Sequence, residues 1–438
     1  MSLFLIKFAQ CRRLTALRHH KPGDKLIKSV KYTLANGLKI IVHNDPSTPI
    51  VAVNTLFNVG SKNEDPAMTG FAHLFEHLMF GGTKAIRNFD RHLEIAGGES
   101  NAFTNSDITN YYITIPSANI ETALWLEADR MQGLDLSAKN IRVQKDVVTE
   151  EYRQRFLNQP YGDAMLHLRP LVYRSHPYRW HTIGMDMSHI ERAGQKEVKN
   201  FFERYYKPDN AILTIAGNIS PKKALKLAEK WFAPIQSGAR RNEVIPTEPE
   251  QTEARRLEIE RAVPANLLYE AWVVSARSDQ EFYVFDMITD ILSGGESGRL
   301  YNSLVREKRI CNEVNCYLTG ETDRGMMIIT ASLAEGITFD AAENAIGEEI
   351  TRLCKEPVSE YEYQKVINRY ESEFHLNHTG ILAKATSLAF HEHLGDAGNI
   401  NSDVSNYRAV SKDSIMSTAT EWLTEERSST LCYKAVNE

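Results

Sequence analysis

The stretch Phe71-Ala-His-Leu-Phe-Glu-His-Leu-Met79 carries the chemistry of this chain and, through what surrounds it, the reading of its fold. Written as a helix, it places His73 and His77 four residues apart, so both rings leave one face a turn apart and can share one ion. Glu76 stands beside them, while Phe71, Leu74, Phe75 and Leu78 form the apolar surface that buries the helix. A dry surround strengthens a metal's field on bound water. Hydrolytic zinc needs three protein ligands, an open position for water, and a base to take that water's proton. Two histidines leave one ligand to be found. Two His with one Glu is a working set, so an acid elsewhere in the chain is expected to complete it. The competing reading of these residues is an ordinary amphipathic helix that happens to carry two histidines.

The segments on either side alternate between strand and helix. Strands at 29–34 and 38–43 flank Ala35-Asn36-Gly37, and Asn-Gly between apolar runs marks a hairpin. A strand at 50–59 leads into the metal-binding helix at 70–80. Then come a helix at 88–96 stopped by Gly97-Gly98, strands at 100–104 and 110–115, and helices at 120–131 and 141–156. A strand at 210–218 and an amphipathic helix at 221–232 close the first half. Residues 236–254, polar and carrying Pro246 and Pro249, read as an exposed linker. Beyond it, a strand at 266–273, helices at 280–292 and 300–308, strands at 314–319 and 326–332 and a helix at 339–354 repeat the earlier order. The prediction is an α+β chain of two homologous domains, each a mainly antiparallel sheet packed with helices. A catalytic zinc-binding domain spans 25–235 and a second domain without metal spans 255–438, behind a flexible basic tail at 1–24.

The bulk properties narrow the function classes. A chain of 438 residues exceeds one ordinary core. A net charge of -6 speaks against a broad nucleic-acid-binding surface, so no nucleic-acid partner is expected. No apolar run reaches the roughly 18 residues of a membrane span. The five cysteines, Cys11, Cys311, Cys316, Cys354 and Cys432, form no paired framework, and Cys311 and Cys316 lack the second pair that a zinc clip needs, so both read as structural thiols. Residues 1–23 carry Lys7, Arg12, Arg13, Arg18 and Lys21 and no acid, the composition of an organelle transit peptide or, more plainly, of a floppy tail. Compartment stays open on these grounds, between bacterial cytoplasm or periplasm and the mitochondrial matrix.

The order His-x-x-Glu-His is the inverzincin signature. Its surroundings resemble the pitrilysin/insulinase family, which includes the mitochondrial processing peptidase, from about residue 28 onward. The resemblance implies half of a clam-shell chamber and one Zn2+ per chain, held by His73, His77 and a downstream Glu, with Glu76 as the catalytic base. Val147-Val-Thr-Glu-Glu151-Tyr resembles the family's third-ligand helix, and its paired valines put the ligand at Glu151 with Glu150 as competitor. Neighbouring helix residues face about 100° apart, so only one of the two serves. Gly97-Gly-Glu-Ser-Asn-Ala-Phe-Thr-Asn105, followed by Thr109-Asn-Tyr-Tyr112, reads from its residues either as a glycine-initiated hairpin strand or as an edge strand open to a peptide backbone. The resemblance implies the second, with Asn101, Ala102, Phe103 and Thr104 holding an extended substrate by β-augmentation. Asn158-Gln-Pro-Tyr-Gly162 and His176-Pro-Tyr-Arg-Trp-His-Thr-Ile-Gly184 resemble loops of bacterial members, which makes His176 and His181 loop or packing residues. Ser297-Gly-Arg-Leu-Tyr-Asn-Ser-Leu304 resembles the family's helix in the second half. His375, His378, His391 and His393 have no partner set for a metal and read as structural or surface residues.

Two departures qualify the resemblance. Gln144 stands where many members carry a second, supporting Glu two helical turns before the third ligand, which removes a charge near the site. Met327, in Gly325-Met-Met-Ile-Ile-Thr-Ala-Ser-Leu-Ala-Glu335, stands where active single-chain members place an Arg, and no Tyr follows it. That Arg/Tyr pair helps bind substrate and stabilise the reacting carbonyl oxygen, a contribution of a few kcal/mol. The chain is therefore expected to act on peptides or small unfolded proteins as a zinc metalloendopeptidase, in a heterodimer whose same-fold subunit supplies the missing pair. A homodimer, which could not supply it, is the alternative assembly. The runner-up function is a non-catalytic scaffold or binding subunit of the same family, and a third reading is an unrelated binding protein with a chance motif.

Overall fold

The computed structural model describes residues 26–238 and 243–436, and the basic tail expected at 1–24 lies outside them. The first sheet comprises β1 (Val30–Thr33), β2 (Lys39–Asn44), β3 (Ile50–Phe57), β4 (Glu99–Thr104), β5 (Thr109–Pro116) and β6 (Ala211–Gly217), in the order β1-β2-β6-β3-β5-β4. The second comprises β7 (Arg255–Arg261), β8 (Leu267–Ala276), β9 (Cys311–Leu318), β10 (Arg324–Leu333) and β11 (Ser428–Ala435), in the order β7-β11-β8-β10-β9. Without β1 the two orders superimpose strand for strand. The single parallel pair also falls in the same place, β2 beside β6 and β7 beside β11. This duplicated topology is the α+β architecture that the repeated element order predicts.

Local chemistry explains the edges. The β1–β2 turn closes at Gly37, whose φ of +89° suits glycine, and Asn36 Nδ2 ties the turn to the carbonyls of Phe232 and Ile235. A β-bulge between Ser332 and Leu333 adjusts the register of β9, so Cys311, Val314 and Cys316 all enter the core. Both cysteines are buried.

Each half lends a helix to the sheet of the other. From the first half, α3 (Ala164–Val172) lays Ala164, Leu168 and Val172 against Tyr269, Ala271, Met326, Ile328 and Leu431. From the second half, α4 (Ile381–His393) sets Ile381 and Ala385 on Ala52 and Ala216, and Leu388 and Ala389 on Ile41, Leu56 and Ile212. The alanines on both sides let the helix approach the sheet closely. Burying Ile381 and Leu388 together contributes about 3–6 kcal/mol. Each sheet is thus covered on one face by a segment from the other half.

Three expectations are corrected. The stretch 236–254 carries no helix or strand among its described residues, yet it is not simply exposed: Glu248 is 4% exposed and accepts backbone N–H bonds from Arg174, Ser175 and His176 at 2.8, 2.8 and 2.9 Å. A buried carboxylate persists there because amides replace its water. The helix expected over 141–156 is α2 (Ala138–Tyr152), followed by a wider π-helical turn over Arg153–Leu157 in which Asn158 N bonds Arg153 O at 2.9 Å. The segment 300–308 likewise adopts π-helical hydrogen bonding over Tyr301–Glu307. Among the described residues no helix is long and apolar enough to cross a membrane.

Candidate metal centre

The site rests on α1 (Phe71–Leu78), which is held from every side. Gly70 precedes it with φ +91°, and a Cβ there would lie 2.7 Å from Ile183 O, so glycine is required. Gly70 has no side chain to cap the helix. Glu64 does this from a distance, accepting from Gly70 N through Oε2 and from Ala72 N through Oε1, both at 2.8 Å. Burial pushes Glu64 up to about 8 against the pull of those two amides. Below the helix, Phe75 stacks against Phe201 and Tyr206, with centroids 5.3 and 4.9 Å away. Tyr111 Oη donates to Phe75 O at 3.1 Å, and the buried Arg130 lies over the Tyr111 ring while pairing with Glu127.

This frame turns His73 and His77 toward α2. Their rings meet edge to face, 4.9 Å apart. Glu151 Oε2 lies 3.2 Å from His73 Nε2 and 3.1 Å from His77 Nε2. A tetrahedral ion with bonds near 2.05 Å has ligand-to-ligand edges of about 3.3 Å, so these spacings and this donor set suit zinc. Among the described residues this is the one group of three or more His, Cys, Asp or Glu side chains gathered closely enough to hold a metal. Glu150 does not join it: it is exposed and faces Gln154 at 3.0 Å and Arg153 at 3.7 Å. Gln144, two turns before Glu151, is partly exposed on the same helix.

Electrostatics couple the group tightly. Burial opposes charge on His73, but its hydrogen bonds to Glu151 and Glu76 outweigh this and raise it to about 9. Burial also opposes charge on Glu151, and its bonds to His73 and His77 hold it well below the usual carboxylate range. Glu76, with Oε2 3.5 Å from His73 Nδ1, is pushed up by burial but held lower overall by that histidine, and so is ionised at neutral pH. Arg155, set by the π-helical turn, places Nη1 2.8 Å from Glu151 Oε1. Sequence reading passed over both Arg155 and Glu64. An arginine one turn after Glu151 carries no signal without knowledge of the turn, and an acid some residues ahead of a helix carries none without the intervening fold.

Among the described residues β4 lies at the sheet edge, bonded only to β5, and packs beside α1. Asn101 is exposed, Ala102 faces the core, and Phe103 and Thr104 are half-buried. Asn101 Oδ1 accepts from Ala102 N at 2.8 Å, so the side chain occupies one edge amide. The other histidines singled out in the sequence make local packing or hydrogen-bond contacts. His181 packs 5.0 Å from the Phe156 ring, and burial lowers it to about 3. His176 Nδ1 accepts from Tyr178 N, His378 bridges Phe374 O and Ser387 Oγ, His391 meets Asp403 at 3.1 Å, and His393 meets Asn58 at 2.6 Å. His375 joins none of these groups and packs edge to face against Phe374. Met327 is fully buried in the second core.

Comparison with known proteins points to one family. The family described as Insulinase (Peptidase family M16) matches residues 39–182, which contain the whole triad, and that described as Peptidase M16 inactive domain matches 193–370, which contain none of it. The chain is 30% identical over 357 residues to the zinc protease PqqE of Helicobacter pylori, covering 80% of each. It is 22% identical over 360 residues to the probable mitochondrial-processing peptidase subunit beta of Arabidopsis thaliana, covering 80% of this chain and 67% of that protein. The crystal structure of a protease from Helicobacter pylori superimposes with a TM-score of 0.87 at 28% identity, over 93% of this chain and all 100% of that one.

Proposed function

The chain belongs to the insulinase family, peptidase family M16, and from that membership we propose that it is a zinc metalloendopeptidase acting on peptides or small unfolded proteins. The observation that carries the proposal is the convergence of His73, His77 and Glu151 within 3.2 Å beside an ionised Glu76. Zinc, when bound, polarises the scissile carbonyl and makes water a nucleophile at neutral pH. The chain's own residues do the rest. His73, His77 and Glu151 hold the ion, one per chain. Glu76 takes the proton of the attacking water and returns it to the leaving amine. The extended peptide lies along β4 at Asn101, Ala102, Phe103 and Thr104, where edge backbone groups give affinity with little demand on sequence. The matched inactive-domain description runs over 193–370, clear of the triad and mostly within the second unit, which supports a division of labour between a catalytic unit at 25–235 and a second unit at 255–438, joined through 236–254.

The proposal extends to assembly. Two sheets of one design make half of a clam-shell chamber, and a same-fold partner subunit forms the other half. Burial of Met327 in the second core supports this, since that position offers no cationic side chain to the metal site of this chain. The relative named as a subunit points the same way. The test is hydrolysis of a generic unstructured peptide by the purified chain, with and without its co-purifying partner. Cleavage that a chelator abolishes and zinc restores, strengthened by the partner, is expected. Chelator-insensitive cleavage would overturn the zinc assignment, and full activity of the monomer or homodimer would overturn the partner requirement.

A further inference from the structure

The tip of the β9–β10 hairpin, residues 319–323, reaches out of the second half into the first. It ends on Asp107, in the turn that joins β4 to β5. Asp107 is 3% exposed. Its Oδ1 accepts from Tyr178 Oη at 2.6 Å and pairs with Lys62 Nζ at 2.7 Å, while its Oδ2 accepts from Thr322 N at 2.9 Å. Asp323 closes the ring: its N donates to Tyr178 Oη at 3.0 Å and its Oδ2 pairs with Lys62 at 2.9 Å. Two flanking contacts fix the hairpin's approach, Glu321 with Arg169 at 3.0 Å and Tyr173 Oη with Arg324 O at 3.0 Å. Lys62 belongs to the segment leading into α1, and its N bonds Ser106 O at 2.9 Å, while Ser61 N bonds Asn105 O at 3.2 Å. One buried charged group therefore joins the β4–β5 turn, the approach to the metal-binding helix and the hairpin tip of the half that binds no metal.

We propose that Asp107 is a positioning residue for the substrate strand, and that the Thr322–Asp323 tip of the second half is the clamp that sets it. The inference rests on β4 being the peptide-binding strand. An edge strand paired on one side is held in register by its one ladder, by the packing of Ala102 on the core and by its turn, and a peptide added to its free side must meet it at a fixed height relative to Glu76. A carboxylate buried with three donors is a stiff anchor for that turn, because losing any donor leaves a charge without its solvent or its partner. The arrangement gives the non-metal half a direct part in substrate alignment at a distance from the metal ligands, none of which Asp107 touches. Asp107 acts through β4 and touches neither substrate nor metal.

The experiment compares Asp107→Ala, Asp107→Asn and Asp323→Ala with the parent chain in its active assembly. It measures KM and kcat on an unstructured peptide, zinc content, and hydrogen–deuterium exchange over residues 99–105. The expected result for Asp107→Ala is a KM raised about tenfold with kcat and zinc content held, and faster exchange in β4. Asp107→Asn, which still accepts from Thr322 N, recovers part of the loss. Asp323→Ala, at a residue more open to solvent, gives the same pattern at about threefold. Ala102→Pro in β4 itself is the control for the underlying reading. If Ala102→Pro leaves KM unchanged, β4 is not the peptide strand. If Ala102→Pro raises KM but the Asp107 and Asp323 variants leave both KM and β4 exchange at parent values, or lower kcat and zinc content together, the positioning role is overturned. Should Asp107→Ala fail to fold, Asp323→Ala and the exchange measurement decide alone.

Discussion

Glu151 Oε2 stands 3.1 Å from His77 Nε2, although the two residues lie on different helices that the chain reaches by way of two strands and two further helices. Its neighbour Glu150 is exposed and faces Gln154. Glu151→Gln is therefore expected to weaken zinc binding by more than about 100-fold, since outer partners of metal ligands alone cost 10–100-fold. Glu150→Gln should leave it within a factor of a few. Calorimetric titration of zinc into the metal-free variants distinguishes them, and the reverse ranking would move the third ligand to Glu150.

Glu64 bears on the same ion without touching it. Its two 2.8 Å bonds to Gly70 N and Ala72 N substitute for a cap that glycine cannot provide. Glu64→Ala is expected to cost about 2–4 kcal/mol of stability, the sum of a lost cap and two unmet buried amides. It should also weaken zinc binding, because both histidines ride on the helix so capped. Denaturant melts with and without zinc measure both effects, and a variant as stable as the parent would remove Glu64 from this role.

These two cases mark what the sequence discloses. The spacing of His73 and His77 predicts a helix with both rings on one face because that relation is local, and the Asn36-Gly37 turn and the 221–232 helix are legible for the same reason. The sequence reading places no helix at 164–172 or 381–393, and even a clear amphipathic pattern tells only that a face is buried, not that it is buried on the other half's sheet, since periodicity carries no address. The same holds for Glu248, whose three amide donors come from a distant segment. It also holds for the π-helical turn at 153–157, whose extra residue answers to packing and leaves no compositional mark. The acid that completes the triad is in this class too: the residues ask for one, and only the approach of α2 to α1 brings Glu151 there.

Met327 tests the assembly from another side. It is fully buried between the second sheet and its helices. Met327→Arg is therefore expected to destabilise the protein by about 3 kcal/mol or more, by burying a charge with no partner, and not to raise the activity of the chain alone. Thermal melts and peptide assays read the two outcomes. A stable Met327→Arg chain with enhanced activity on its own would show that this strand reaches the metal site after all.

Stability should also carry a pH signature from the second half. Glu270 Oε2 is shielded from solvent with no hydrogen-bond donor, and burial, helped by the charges of Glu343 and Glu425, pushes Glu270 up to about 8. A folded pKa above the ordinary value of 4.5 means the folded state favours the protonated form, so this contribution is fully present below pH 4.5 and is lost as pH rises through about 8. Glu270→Gln cannot ionise. Relative to the parent, it should show little gain in melting temperature near pH 5 and a gain of about 2–5 °C at pH 8.5. A gain independent of pH would contradict the assignment.

The most direct measurement is made on Glu76→Gln. Glu76 lies beside the triad without being one of its ligands, so the variant should bind zinc with the parent's stoichiometry while peptide cleavage falls by about 10²–10⁴-fold, the range of a lost general base. Zinc content and turnover are read on the same preparation. A variant that keeps its zinc and still cleaves at the parent's rate would contradict the account at its centre.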